Sequence, residues 1–169
     1  MADTEQLSVG LTTRFIDGTD GGERLRASIG QILYFDDRRV ALGADARETR
    51  DTSDLVGELS TRFARDWVAR GGIQWNPDDD ETVRGSVQLG FRPSDGRLLN
   101  VAHRVVSTGT SAETEQVDLS AFWPVGDAWR LAGRWNYSLD QQVSIESLLG
   151  VEYDSCCWAL RFAAQRYIA

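Results

Sequence analysis

From one end of the chain to the other, apolar and polar residues alternate with a period of two, the pattern of strands whose two faces meet different surroundings. In QLSVGLTTRF, Leu7, Val9, Leu11 and Phe15 fall on one side, with Ser8, Gly10, Thr12 and Arg14 on the other. RLRASIGQILYF sets Leu25, Ala27, Ile29 and Leu33 against Arg24, Arg26 and Ser28, and WVARGGIQW sets Trp67, Ala69, Ile73 and Trp75 against Arg70 and Gln74. TVRGSVQLGFR opposes Val83, Val87, Leu89 and Phe91 to Arg84, Ser86, Gln88 and Arg92; WRLAGRWNY opposes Trp129, Leu131, Trp135 and Tyr137 to Arg130, Arg134 and Asn136. This periodicity predicts about ten strands, near residues 5–16, 23–35, 55–64, 66–76, 81–92, 97–107, 115–124, 128–138, 142–154 and 157–168. Turn chemistry punctuates them: DGTDGG, PDDD, PSDG, VGD and SLDQQ.

The predicted connections are uneven. Those at 64–66, 77–80, 93–96 and 125–127 are tight, whereas 36–54 is a long polar stretch and 107–114 a shorter one. An up-and-down meander with short turns at one rim and longer loops at the other has this form. Segments of about 10–12 residues exceed the usual soluble strand of about 5–6 and match the roughly 9–11 needed to cross a bilayer at a tilt. The polar faces carry Arg14, Arg26, Arg62, Arg70, Arg84, Arg104, Arg130 and Arg134 among small residues. The apolar faces end in aromatics: Trp67, Trp75, Phe91, Trp123, Trp129, Tyr137, Tyr153 and Trp158. A polar lumen and a lipid-facing exterior with aromatic girdles accounts for both. The expected fold is all-β, an antiparallel up-and-down meander forming part of a transmembrane β-barrel. Residues 1–169 form a single partial segment of it, with Arg70, Arg84, Arg130 and Arg134 facing the lumen. The competing expectation is a small soluble β-barrel whose apolar face packs inward around an apolar ligand.

Composition narrows the classes further. A chain of 169 residues is long enough for one domain, and a net charge of -8 argues against a nucleic-acid partner. No stretch approaches the roughly 18–20 apolar residues of a membrane helix. The opening MADTEQLSVG has neither a basic n-region nor an apolar h-region; the chain is expected either to be cytosolic or to be a piece whose signal lay upstream. Catalytic chemistry is sparse. His103 sits on the apolar phase between Val101 and Val105, there is no GxSxG elbow, and Gly71-Gly72 is not followed by a helix that could hold phosphate. The acidic run at 78–80 reads as turn solvation. No enzyme, metal or cofactor is expected, although an outer-membrane barrel acting on lipid would have His103 as its candidate base.

The two cysteines stand side by side in DSCCWALR. Relaxed disulfide geometry, with Cα atoms usually about 5.5–6 Å apart, disfavours a bond between neighbours. Each is therefore free, metal-bound or bonded outside this chain, and metal is the weakest option because His103 has no partner at ligand spacing.

Four stretches carry a resemblance: ERLRASIGQILYF at 23–35, WVARGGIQWN at 67–76, FWPVGDAWRLAGRWNYSLD at 122–140 and, most specifically, LLGVEYDSCCWALRFAAQRY at 148–167. Together they make the chain resemble the C-terminal part of the barrel of the LptD family, the lipopolysaccharide-assembly proteins of the Gram-negative outer membrane. The resemblance implies a non-catalytic role in delivering lipopolysaccharide to the cell surface. It also implies that Cys156 and Cys157 form disulfides with cysteines of an N-terminal periplasmic domain, in keeping with an oxidising compartment. The implied partners are lipopolysaccharide, the plug lipoprotein LptE in the lumen, the periplasmic bridge protein LptA through that missing domain, and outer-membrane lipids. Family members have more strands, so the chain is expected to be a fragment with two open edges. The lumenal arginines are expected to pair across strands with Asp118, Glu146 and Glu152.

Overall fold

The computed structural model describes residues 5–35, 52–107 and 113–168. Ten strands occupy most of them: β1 (Gln6–Ile16), β2 (Glu23–Tyr34), β3 (Leu55–Ala64), β4 (Trp67–Asn76), β5 (Glu81–Phe91), β6 (Leu98–Ser107), β7 (Glu113–Val125), β8 (Trp129–Ser138), β9 (Val143–Asp154) and β10 (Ala159–Tyr167). The observed bounds fall within two residues of those read from the alternation. The starts of β7 and β10 move furthest, by two residues each; β10 starts later because the Ser155 amide and hydroxyl both donate to the Trp158 carbonyl (2.9 and 3.1 Å), closing a turn over residues that alternation assigns to the strand.

All ten strands form one antiparallel sheet in sequence order, β1 through β10. Among the described residues β1 pairs only with β2 and β10 only with β9, so the sheet is an open meander. Five turns, at 17–22, 65–66, 92–97, 126–128 and 155–158, lie at one rim. The opposite rim carries the turns at 77–80 and 139–142 together with the two longer connections, of which 36–51 and 108–112 lie outside the described residues. The tight turn at 77–80 thus shares a rim with the longer loops. Asn76 shapes it, accepting from the Asp78 amide (3.0 Å) and donating to Asp79 (2.6 Å), with Asp80 at φ 53°.

Register places each face in rows. One polar row runs from Arg14 and Arg26 on β1 and β2 through Ser60, Arg70 and Gln88 to Asp118, Asn136 and Glu146. The neighbouring apolar row includes Phe15, Leu25, Leu89, Val101, Leu119 and Trp135. Among the described residues no apolar side chain is buried; only Asn76 and Ser138 are. Leu11 is 71% exposed, Phe162 65% and Val87 63%. A soluble barrel would pack these residues inward, and the described residues form no such interior. Among the described residues no helix is long and apolar enough to cross a membrane, which says nothing of strands that do so.

Candidate functional site

The polar face is concave. It encloses a hollow of about 740 Å³ lined by side chains of β2 to β8, including Arg70, Arg84, Arg104, Asp118 and Arg134. The alternation that builds the strands also builds this face, since every second residue of each strand falls on it. Of the arginines singled out from sequence, Arg70, Arg84 and Arg134 come together here. Arg130 does not: it lies nearer the rim of short turns, where its guanidinium donates to Glu152 (3.0 Å) and Asp154 (3.1 Å).

Cross-strand pairing of charges is extensive on β7 to β10. Arg134 reaches Asp118 at 2.9 Å and Glu146 at 3.3 Å, and Glu152 accepts from Arg161 as well as Arg130. Opposite charges on adjacent strands are mutually stabilising. Arg104 also lines the hollow; alternation places it on the polar face, but only register reveals that it shares a row with Gly72 and Ser86.

The outward face carries a different chemistry. At the rim of short turns Phe63 stacks on Trp67 (6.4 Å between centroids), Trp67 meets Phe91 (4.8 Å), Trp129 meets Tyr153 (4.7 Å) and Tyr153 meets Trp158 (5.0 Å). Arg97 lies over Trp123 at 4.9 Å. Trp135 and Tyr137 form a smaller pair towards the other rim, 5.3 Å apart. Rings with an apolar body and a polar edge suit the boundary between water and hydrocarbon.

Cys156 and Cys157 occupy the last short turn. Both are exposed and unbonded, with sulfurs 3.0 Å apart. The hydrogen bond with Cys156, aided by partial desolvation, holds the Cys157 thiol above its ordinary range. Immediately beneath, Trp129, Tyr153, Trp158 and Phe162 line an apolar groove of about 340 Å³ on the outward face. His103 lies on that face too, its Nε2 2.7 Å from Glu115, with Val87 and Val117 opposite it on the neighbouring strands. No hydroxyl or thiol among the described residues is hydrogen-bonded to its ring. No group of three metal-ligating side chains is found among the described residues.

The family model described as "LptD: LPS transport system D" matches residues 1–129. The chain belongs to the LptD family. Among LptD relatives, the LPS-assembly protein LptD of Nitrosococcus oceani is 40% identical over 166 residues, covering 98% of this chain and 22% of its own length. That of Pseudoalteromonas atlantica is 36% identical over 168 residues, covering 99% and 22% respectively. The LptD of Shewanella frigidimarina is 37% identical, covering 96% of this chain and 22% of its own length. The chain therefore spans about a fifth of the LptD proteins it matches.

Proposed function

We propose that this chain is a wall segment of an outer-membrane translocon that assembles lipopolysaccharide at the surface of a Gram-negative bacterium, acting as a conduit and not as a catalyst. The observation that carries the proposal is the sidedness of the sheet in a chain of this family: large apolar side chains concentrated on the outward face, none of them buried among the described residues, and most charged ones on the opposite face, where a hollow lies. That is the arrangement a barrel wall needs between lipid and a wet lumen. On this view Arg70, Arg84, Arg130 and Arg134 face the lumen, where lipopolysaccharide and the plug lipoprotein LptE are met. The bridge protein LptA docks on a periplasmic domain outside residues 1–169. Outer-membrane barrels keep their short turns on the periplasmic side, so the rim holding Cys156 and Cys157 is the periplasmic one. There both cysteines form disulfides with that domain.

The test is a non-reducing gel of thiol-blocked outer-membrane extracts, probed for this segment. The expected result is a full-length barrel in the outer membrane whose migration changes on reduction, the change being lost in Cys156→Ser/Cys157→Ser. Recovery of the segment as a soluble 18.8 kDa species with two free thiols would sink the proposal.

A further inference from the structure

Three arginines in the hollow are left without a carboxylate. Arg70 on β4, Arg84 on β5 and Arg104 on β6 all line it. Among the described residues none of them has an ion-pair partner, whereas Arg130, Arg134 and Arg161 each have one or two. Scarcity of acid is not the reason, since the chain has 26 acidic residues against 18 basic ones. Even Glu58, which lines the same hollow and stands opposite Gly72, makes no ion pair with them.

Register explains their arrangement. Gly72, Ser86 and Arg104 share one row across β4, β5 and β6. Arg70 lies two residues along β4 from Gly72, and Arg84 two residues along β5 from Ser86 in the other direction. Diagonal neighbours of this kind are about 7–8 Å apart at the backbone, within reach of long side chains leaning towards one point. Each of the three side chains is thus long enough to reach the floor made by Gly72 and Ser86. A Cβ on Gly72 would come within 3.1 Å of the Ser86 hydroxyl, so this floor is already filled to contact and stays flat because position 72 is glycine.

Like charges brought together on a sheet oppose each other, and a polyvalent anion between them removes the conflict. Guanidinium forks match the oxygens of phosphate in planar, bidentate fashion, and the Ser86 hydroxyl adds a further donor. A compact anion is favoured over an acidic protein surface, because three forks from three adjacent strands lie within reach of one small floor. We propose that Arg70, Arg84 and Arg104, around Gly72 and Ser86, form a binding site for a phosphate group carried on a saccharide. This rests on the translocon function, which brings such a group into the hollow.

The full-length protein in detergent is titrated with lipopolysaccharide, native and phosphatase-treated. The triple variant Arg70→Gln/Arg84→Gln/Arg104→Gln is expected to lose at least tenfold in affinity for the native form, with Arg97→Gln, outside the hollow, within twofold of the parent. The parent is expected to bind the treated form as weakly as the triple variant binds the native one. Equal binding of both forms by the parent overturns the site, as does a triple variant within twofold of it. Loss of the plug lipoprotein from the triple variant with lipopolysaccharide affinity unchanged also overturns it, assigning the arginines to a protein surface. Should the variant misfold, phenylglyoxal labelling of the parent decides: inorganic pyrophosphate is expected to protect Arg70, Arg84 and Arg104 but not Arg97, and lack of protection overturns the site. Cell fractionation is read separately. A protein found outside the outer membrane that still binds the phosphorylated form fails the function and keeps the site.

Discussion

Two side chains, Asp17 and Arg134, show what single residues contribute to this sheet. Asp17 accepts from the Thr19 amide at 2.9 Å and from Arg24, and these bonds, the Thr19 amide first, hold its carboxyl below the ordinary 3.8. A carboxyl depressed in the folded state stabilises above its unfolded value and loses that contribution as pH falls through the lower folded one. The β1–β2 turn is therefore expected to be tight at neutral pH and to open below about pH 4. Exchange of the Gly21 amide, which bonds to the Asp17 carbonyl at 2.9 Å, reads this after correction for intrinsic rate, and Asp17→Asn should remove the step. Arg134 lies between Asp118 and Glu146 yet is half exposed, with 48% of its side chain in contact with solvent. Exposed pairs contribute about 0–1 kcal/mol. A double-mutant cycle of Arg134→Gln with Asp118→Asn, measured by urea unfolding of the full-length barrel, is expected to give a coupling below about 1 kcal/mol. A coupling of several kcal/mol would mean that the hollow is far drier than its exposure indicates.

At the scale of the strand, sidedness makes a sharper demand. Leu119 stands mid-strand on the outward face between Val101 and Trp135, whereas Ala102 stands on the polar face between Gln88 and Asp118. In a barrel wall, Leu119→Arg is expected to cost about 2–4 kcal/mol, and Ala102→Arg less than about 1 kcal/mol. Refolding into vesicles measures both, and equal costs would contradict an outward lipid face. The strands themselves were legible because a period of two survives in nearly every segment, from Leu7 to Phe162. What alternation could not supply was register. It placed Arg104 on the polar face but could not put it beside Gly72 and Ser86, and it could not separate Arg130 from the hollow, because that depends on distance along the strand and not on face. Backbone closure between Ser155 and Trp158 was likewise hidden, since a hydrogen bond to a carbonyl leaves no mark on side-chain pattern.

For the molecule as a whole, the open edges matter most. β1 and β10 present 11 and 9 residues whose outer backbone groups have no strand partner among the described residues. Such edges recruit other strands. Residues 1–169 expressed alone in detergent are expected to associate, by light scattering on a sizing column, and a clean monomer would show that the edges are covered in another way. The family resemblance was legible in the double cysteine and its flanking strands, whereas the partners proposed for Cys156 and Cys157 leave no trace here, because the chain holds no second pair of cysteines.

The missing apolar interior has a thermal corollary. In globular domains the large heat-capacity change of unfolding arises when packed apolar side chains are released into water. Here the described side chains have none to release from within; in the proposed barrel wall, what water gains on unfolding comes from the boundary with hydrocarbon. The curvature of the stability–temperature profile then belongs jointly to protein and bilayer, and it should change with the acyl environment even when not one residue of the sequence does.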